Sequence, residues 1–279
     1  MFVQSVDYHS PEAAWQFTQS LRETGFAVLR NHPLPSAMIG EIYSDWAAFF
    51  KSAGKDAYRF DPARQDGWFP PDVSETAKGH TMRDLKEFFH VYTWGRIPVE
   101  LREGALRYHF EATQLAAHLL AWIEQQLPDA IRQGLSEPLS DMIQGSEATL
   151  LRVLHYPPLA GDEPKGALRA APHEDINLIT ILPAASAPGL QVMTRAGEWL
   201  DVPVDPGALV INVGDMLQEA TGGWLPSTPH RVVNPAPAEA NLPRLSLPLF
   251  LHPRAEVVLS SRYTAQAYLD ERLRELGVK

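Results

Sequence analysis

From about Ala148 onward, short apolar runs are separated by turns rich in proline and glycine. Such runs are typical of β-strands, and eight of them without intervening helices favour a double-sheet jelly roll over parallel βαβ units. The predicted strands cover residues 149–156, 177–182, 189–194, 198–202, 208–213, 229–233, 244–251 and 256–260. We therefore expect an α+β fold with a double-stranded β-helix (jelly roll) at its core.

The first half of the chain is instead mainly helical in its pattern. Ser10-Pro11 is typical of a helix start and predicts a helix to about Arg22, and a second helix is expected over about 36–50. The longest predicted helix covers about 101–127, and its apolar stripe consists of Leu106, Phe110, Leu115, Leu119, Trp122 and Ile123. We expect residues 1–145 to form a mainly helical region packed on the barrel, and residues 146–279 to form the jelly-roll core.

His173, Asp175 and His230 form the combination that most strongly indicates chemistry. Side chains at i and i+2 of a strand project to the same face, so His173 and Asp175 can reach one ion. His230 follows 55 residues after Asp175 and can approach from another strand. Two histidines and one carboxylate on one side of a metal make the facial triad of non-haem Fe(II) oxygenases, which leaves positions open for oxygen and an organic ligand. The spacing predicts oxidation chemistry.

A second feature lies in the predicted strand 244–251, whose leucines alternate along one face. Arg244, Ser246 and Phe250 share the other face. A guanidinium beside a hydroxyl suits a carboxylate, because arginine offers a planar fork of donors and serine adds another. The alternative is an arginine at a sheet rim that pairs with an internal Asp or Glu.

Six segments follow one another between about residues 149 and 260: Leu151–Pro158, Pro172–Thr180, Gly189–Val192, Gly197–Trp199, Pro206–Asp215 and Ser227–Val233. In sequence and in order they resemble the isopenicillin N synthase-like branch of the 2-oxoglutarate- and Fe(II)-dependent dioxygenases. A weaker likeness covers Gly25–Leu29, which is similar to the family's opening strand.

This resemblance implies roles for individual residues. It implies that the His173, Asp175 and His230 triad binds Fe(II). It further implies that Arg244 and Ser246 hold the distal carboxylate of 2-oxoglutarate, a cosubstrate used together with O2. The activity implied is hydroxylation or desaturation of a small-molecule substrate, with release of succinate and CO2.

The Tyr156 hydroxyl is implied to assist with that carboxylate, but its surroundings depart from the family pattern. Plant members usually have Asn-Tyr-Tyr-Pro where this chain has Leu154-His-Tyr-Pro157. One alternative is therefore a 2-oxoglutarate-independent oxidase or cyclase of the isopenicillin N synthase type, in which the Arg-x-Ser pair binds the substrate's own carboxylate. A further alternative is a non-catalytic jelly-roll protein that binds a metal.

Composition restricts the remaining classes. The chain has 279 residues, a net charge of −10 and no cysteine. The charge argues against a broad nucleic-acid or anionic-membrane surface, and the lack of cysteine leaves nitrogen and oxygen donors for any metal. No basic start with an apolar run, and no stretch of about 18 apolar residues, is present. We expect a cytoplasmic protein with a small-molecule substrate and no nucleic-acid or membrane partner; its oligomeric state is unknown from the sequence.

Residues 84–96 are unusually rich in aromatic side chains. The candidates for lining a substrate pocket are Phe89, Tyr92, Trp94 and Phe250. Arg83 or Arg96 is available for a substrate anion. Plain packing between helix and sheet is the alternative, because buried aromatic residues usually serve the core.

Two polar residues near the motifs are expected to have structural roles. His155 should face away from Tyr156 on an alternating strand. Asn212 is expected to make a hydrogen bond at the end of a strand or in a turn.

Overall fold

Two β-sheets pack face to face in the part of the chain that the computed structural model describes, namely residues 2–73, 83–202, 205–235 and 242–275. Their strands are β1 (Ser5–Asp7), β2 (Phe26–Arg30), β3 (Gly67–Phe69), β4 (Glu87–Val91), β5 (Leu150–Tyr156), β6 (Ala170–His173), β7 (Ile179–Pro183), β8 (Leu190–Met193), β9 (Trp199–Asp201), β10 (Leu209–Val213), β11 (His230–Val232), β12 (Arg244–Ser246) and β13 (Leu249–Leu251). The larger sheet has the order β1-β2-β10-β7-β13-β5-β4-β3, with β12 also paired to β5, and the smaller sheet has the order β6-β11-β8-β9.

Helices cover the outer face of the larger sheet. They are α1 (Ala13–Thr24), α2 (Ser36–Lys51), α3 (Val99–Gln126), α4 (Asp129–Gly134), α5 (Leu139–Met142), α6 (Asp215–Ala220) and α7 (Ala265–Glu275), with short 3-10 helices at Ala53–Tyr58 and Pro71–Val73. None of the helices in the described ranges combines the length and the apolarity that crossing a bilayer requires.

Strand alternation divides the interior of the protein into two layers. On β10, Leu209, Ile211 and Val213 belong to the core that faces the helices, whereas Val210 packs between the two sheets. Residues at i and i+2 share a face, so one strand serves both layers. The predicted α+β fold, with a jelly-roll core braced by helices, is confirmed.

Strands from the first half of the chain widen the larger sheet. β1 and β2 add to the edge at β10, and β4 and β3 add to the edge at β5. Helix α1 ends at Gly25, whose φ of 74° is the left-handed conformation that glycine adopts readily after a helix. β2 begins directly after this glycine, so the first helix is joined to the barrel by a tight turn.

Two predicted strands differ from the structure. The strand predicted over 244–251 is interrupted at Leu247-Pro248, because proline has no N–H for the ladder, although the Pro248 carbonyl still accepts a hydrogen bond from the Arg152 N–H at 3.0 Å. The strand predicted over 256–260 is absent, and only an isolated bridge joins Val258 to Thr264. The apolar alternation in that segment reflects loop packing.

Two further corrections concern an unpredicted strand and a helix face. β6 has only four residues and contains Pro172, so it carries no strand pattern in the sequence. On α3, Phe110 was predicted to belong to the apolar stripe but is 63% exposed, while Tyr108, which was not included, is fully buried. Two residues along a helix differ by about 200° in direction, so Phe110 and Tyr108 point to opposite faces of α3 and only Tyr108 reaches the core.

Candidate metal and cosubstrate site

His173, Asp175 and His230 come together beside the smaller sheet. His173 ends β6 and His230 begins β11, and antiparallel pairing sets the two residues opposite each other. Asp175 lies two residues beyond β6. One potential ligand atom from each residue lies within 4.8 Å of the others, and His230 Nε2 is 3.7 Å from Asp175 Oδ1. The structure therefore brings the three predicted ligands into one group.

Backbone carbonyls orient both imidazoles. Nδ1 of His173 lies 2.8 Å from the carbonyl oxygen of Ala171, and Nδ1 of His230 lies 3.2 Å from that of Thr228. A carbonyl only accepts, so each Nδ1 carries the proton and donates it. Each Nε2 then keeps its lone pair, which is the form that binds a metal.

The carboxylate of Asp175 is held by two donors on neighbouring strands. Its Oδ2 accepts hydrogen bonds from Thr180 Oγ1 at 2.6 Å and from Asn212 Nδ2 at 2.8 Å. Thr180 Oγ1 in turn accepts a hydrogen bond from Asn177 Nδ2 at 3.0 Å. Asn212 thus has the structural hydrogen bond expected from the sequence, while the part played by Thr180 was not predicted. The other carboxylate oxygen of Asp175, Oδ1, faces His230.

The charge states of these groups suit a divalent cation. Burial alone would raise the pKa of Asp175, but the charges of His230 and His173 and the hydrogen bonds to Oδ2 lower it below its usual 3.8. Burial and the charge of His230 lower the pKa of His173 to about 4. The surface of His173 is still open to solvent, which weakens that burial effect, but the imidazole is mainly neutral at pH 7 even at its ordinary pKa of 6.5.

Arg244 and Tyr156 form a second, cationic part of the site. The two residues are paired between β12 and β5, and the Arg244 guanidinium carbon lies 5.1 Å from the centre of the Tyr156 ring. Arg244 is 1% exposed and its Nε donates to the Ala187 carbonyl at 3.0 Å. Its buried Nη1 has no hydrogen-bond partner in the part of the chain that the structure describes. Ser246, also buried, follows on the same strand face. Within the described ranges no carboxylate forms an ion pair with Arg244, and its burial is unlike that of an arginine at a sheet rim.

Arg169 is a further residue at this position that no motif predicted. It is 1% exposed, and its guanidinium carbon lies 5.9 Å from the Tyr156 ring centre. It precedes β6 by one residue in a segment without a strand pattern. A lone arginine in such a segment gives no sequence signal of its burial.

The predicted aromatic pocket is corrected at Phe89. β4 turns Phe89 to the helix side of the larger sheet, where it is fully buried against Trp46 and Phe49 at ring-centre distances of 5.0 and 5.6 Å. Core packing, the alternative stated above, therefore accounts for this residue. Its neighbour Phe88 faces the space between the sheets.

The other members of the aromatic segment, and the two arginines beside it, contact other parts of the protein. Tyr92 and Trp94 stack on each other at 4.6 Å, and the Trp94 indole N–H donates to the Glu147 carbonyl. Arg96 pairs with the buried Asp66 and is held by it. Arg83 donates to the backbone carbonyl of Asp72. Arg96 is therefore engaged by an internal carboxylate rather than by a substrate anion.

A different group lines the space between β4 and β13. The guanidinium carbon of Arg152 lies 4.7 Å from the Phe88 ring centre and 5.5 Å from that of Phe250. Arg152 Nε donates to His90 Nε2 at 2.9 Å. Of the predicted pocket residues, Phe250 belongs to this group, and the Tyr92 ring lies edge-on to His90 at a ring-centre distance of 6.1 Å.

His155 has the structural role expected from strand alternation. It faces the helices, where its Nδ1 lies 2.8 Å from Glu87 Oε1 and its ring stacks on Phe50 at 5.1 Å.

Two family models match the chain in succession. One, described as the amino-terminal part of a non-haem dioxygenase in morphine synthesis, matches residues 4–107. The other, described as the 2OG-Fe(II) oxygenase superfamily, matches residues 148–253. The second range contains the triad and the Arg244–Ser246 pair.

Relatives by sequence cover most of the chain. Gibberellin 2-beta-dioxygenase 2 of Oryza sativa subsp. japonica is 29% identical over 291 residues, which span 93% of this chain and 76% of the relative. Proline hydroxylase buaE of Petromyces alliaceus is 30% identical over 77% of this chain and 73% of its own.

Solved structures extend the similarity to the whole chain. A protein of Shewanella oneidensis assigned as an oxygenase is 53% identical over 100% of both chains, with a TM-score of 0.91. A full-length protein of Neurospora crassa, solved in complex with alpha-KG and thymine, is 21% identical, covers 98% of this chain and 96% of its own, and has a TM-score of 0.81. At that identity the likeness to the Neurospora crassa protein concerns the fold.

Proposed function

The chain belongs to the 2OG-Fe(II) oxygenase superfamily, and from that premise we propose that His173, Asp175 and His230 hold its iron and that Arg244, with Ser246 and Tyr156, holds 2-oxoglutarate. The protein is an Fe(II)- and 2-oxoglutarate-dependent dioxygenase, an oxidoreductase that also consumes O2.

The donor set supports the iron assignment. Two neutral imidazoles and a carboxylate are the ligands of non-haem ferrous sites, and the hydrogen bonds to each Nδ1 and to Asp175 Oδ2 leave one ligand atom per residue for the metal. The group needs no rearrangement of its hydrogen bonds to accept an ion.

The single observation that carries the cosubstrate assignment is the buried Nη1 of Arg244, which has no hydrogen-bond partner among the described residues. An unpaired buried donor costs free energy, and a charged donor costs more. A carboxylate placed there would satisfy it with a charge-assisted hydrogen bond, to which Ser246 can add another. The distal carboxylate of 2-oxoglutarate is such a group.

When bound, the iron couples oxidative decarboxylation of 2-oxoglutarate to oxidation of a substrate C–H bond. The protein's own residues bind and orient. Thr180 and Asn212 fix Asp175 so that Oδ1 is presented, and Arg244 sets the direction in which the cosubstrate lies. Two apolar clusters between the sheets, which contain Phe26 and Phe88, flank the site and limit its exposure to water.

We further propose that the substrate is a small, partly apolar organic molecule. The rings of Phe88 and Phe250, which lie on either side of the Arg152 guanidinium, give this part of the interior an aromatic lining. Pockets for small molecules are usually lined in this way by aromatic and apolar side chains. A cytoplasmic location is part of the same proposal, and cell fractionation with an antibody against the chain tests it.

The decisive experiment is a substrate screen with iron loaded anaerobically, read by succinate and by product mass. We expect a substrate that makes succinate formation depend on both 2-oxoglutarate and O2, and we expect His173→Ala to lose iron and succinate formation while keeping its circular dichroism spectrum. Turnover without 2-oxoglutarate would favour the oxidase alternative. Tight metal binding without oxygen consumption under any substrate would favour the binding-protein alternative.

A further inference from the structure

Arg169 and Arg244 place two buried guanidiniums around one aromatic ring. Their guanidinium carbons lie 5.9 and 5.1 Å from the centre of the Tyr156 ring, and each residue is 1% exposed. Burial of two cations this close together is costly, because both lose hydration and they repel each other. Such a pair calls for a compensating charge.

Backbone groups hold Arg169 in this position. Its Nη2 donates to the carbonyl of Leu242 at 2.9 Å, two residues before Arg244. Its own N–H donates to Asn234 Oδ1 at 3.0 Å, and Asn234 Nδ2 donates to the Ala167 carbonyl at 2.8 Å. The guanidinium is therefore fixed against the segment that leads into β12.

No described residue supplies the compensating charge. Arg169 and Arg244 form no ion pair within the described ranges, and each retains a buried donor without a partner, Nε in Arg169 and Nη1 in Arg244. Leu154, opposite Ser246 on β5, adds no polar group. Burial lowers the pKa of the Arg169 guanidinium, and the charge of Arg244 lowers it further. A bound anion would supply the charge that the described residues lack.

We propose that Arg169 is a second cosubstrate-binding residue, which together with Arg244 binds the distal carboxylate of 2-oxoglutarate beside the Tyr156 ring. This inference rests on the proposed function, because Arg244 is assigned there to the same carboxylate. A carboxylate has two oxygens and about four acceptor positions, so it can serve two guanidiniums at once. Two cations at one end make the site selective for 2-oxo dicarboxylates.

Arg231 is a matched residue elsewhere in the barrel. Its guanidinium carbon also lies over an aromatic ring, that of Trp199 at 4.1 Å. Its Nε donates to the Gln191 side chain at 2.8 Å, and the residue is only half-buried. Arg231→Met therefore shows the effect of losing an arginine that is stacked on an aromatic ring but has no proposed contact with the cosubstrate. Arg169→Met can be compared with it.

Anaerobic calorimetry on the Fe(II)-loaded protein tests the inference with two ligands of equal chain length, 2-oxoglutarate and 2-oxopentanoate, which lacks the distal carboxylate. We expect Arg169→Met to raise the Kd of 2-oxoglutarate by ~10-fold or more and to change the Kd of 2-oxopentanoate less than about twofold. Arg244→Met should show the same selectivity, and Arg231→Met should change neither Kd.

Each other result has a distinct meaning. Equal weakening of both ligands in Arg169→Met, or a Kd unchanged from the Arg231→Met control, would overturn the role of Arg169. Selective loss in Arg244→Met alone would leave the proposed function standing, whereas no selective loss in either variant would count against the proposed function itself. If Arg169→Met fails to fold, Arg169→Lys keeps the charge but loses the fork, and undiminished preference for 2-oxoglutarate in that variant would overturn the inference.

Discussion

At the scale of single residues, two backbone carbonyls decide which nitrogen of each site histidine carries the proton. The carbonyls of Ala171 and Thr228 accept from Nδ1 of His173 and His230, so both Nε2 atoms are free without any change of tautomer. Asp175 is restrained in the same way through Oδ2. Because these partners are already in place, metal binding needs little reorganisation of the protein.

Thr180→Val tests this restraint on Asp175. Valine keeps the shape and the strand preference of threonine but removes the hydroxyl that donates to Oδ2. Loss of such an outer partner typically weakens metal affinity by about 10- to 100-fold. An anaerobic Fe(II) titration against a competing chelator measures the change.

Thr18→Val is the matched control, since Thr18 is equally buried but its hydroxyl donates to the Ala14 carbonyl within α1. We expect its Fe(II) affinity to equal that of the native protein. A Thr180→Val variant that binds Fe(II) as tightly as this control would show that Asp175 needs no support from Thr180.

At the scale of elements, β4 joins the barrel to the helices through Glu87. The Glu87 carboxylate accepts hydrogen bonds from Lys55 Nζ at 2.9 Å, Trp68 Nε1 at 2.8 Å and His155 Nδ1 at 2.8 Å. Burial alone would raise the pKa of Glu87, but the hydrogen bonds and the Lys55 charge lower it below its usual 4.5. The carboxylate is therefore ionised in the folded protein at neutral pH.

Glu87→Gln should lower the free energy of unfolding by about 1 to 3 kcal/mol at pH 7, because a charged acceptor with three donors is lost. The folded pKa lies below the unfolded one, so the contribution of Glu87 is fully present above about pH 4.5 and is lost as the pH falls through the folded pKa. Urea unfolding at a series of pH values measures the free energy of unfolding of both proteins. The difference between the native protein and Glu87→Gln should become smaller only below about pH 4.5.

Glu111→Gln is the control for this prediction, because Glu111 pairs with Arg107 on the exposed face of α3. Surface pairs of that kind contribute little, so we expect a change below about 1 kcal/mol. If the difference in the free energy of unfolding between the native protein and Glu87→Gln stayed constant down to pH 3, the ionised carboxylate of Glu87 would not be the source of that difference.

Elements with a clear period could be predicted from the sequence, and elements that depend on tertiary packing could not. The triad is readable because His173, Asp175 and His230 carry a specific spacing, with the two histidines at strand ends. β4 is buried on both faces, as its five residues show, so no alternation in the sequence reveals that Phe88 and Phe89 point to opposite layers. Arg169 is buried by contacts with Asn234 and Leu242, which are distant in sequence.

At the scale of the whole molecule, the site draws on both sheets. His173 and His230 belong to the smaller sheet, while Tyr156, Arg244 and Ser246 belong to the larger one. A metal bound to the first group and a cosubstrate that also reaches the second would therefore connect the two sheets. Ligands that bind only the folded state stabilise it, by about 2.7 kcal/mol at a concentration of 100 times Kd.

We expect Fe(II) and then 2-oxoglutarate to raise the Tm of the native protein in two steps under anaerobic conditions. Arg244→Ala should keep the Fe(II) step and lose most of the 2-oxoglutarate step, because its affinity for the cosubstrate falls by an amount on the order of 2 to 5 kcal/mol. Differential scanning calorimetry with and without each ligand measures both steps. An unchanged second step in Arg244→Ala would contradict the assignment of this residue.

The insertion of β2 and β4 beside the barrel strands has a consequence for engineering. A shortened chain that began near residue 146 would lack β2 and β4, so β10 and β5 would each have an unpaired edge. It would also lack Phe26, whose ring lies edge-on to His230 at a centre-to-centre distance of 5.4 Å. Unpaired edges recruit other strands and promote aggregation. Transfer of this active site to another protein would therefore require β2 and β4 as well as the barrel strands.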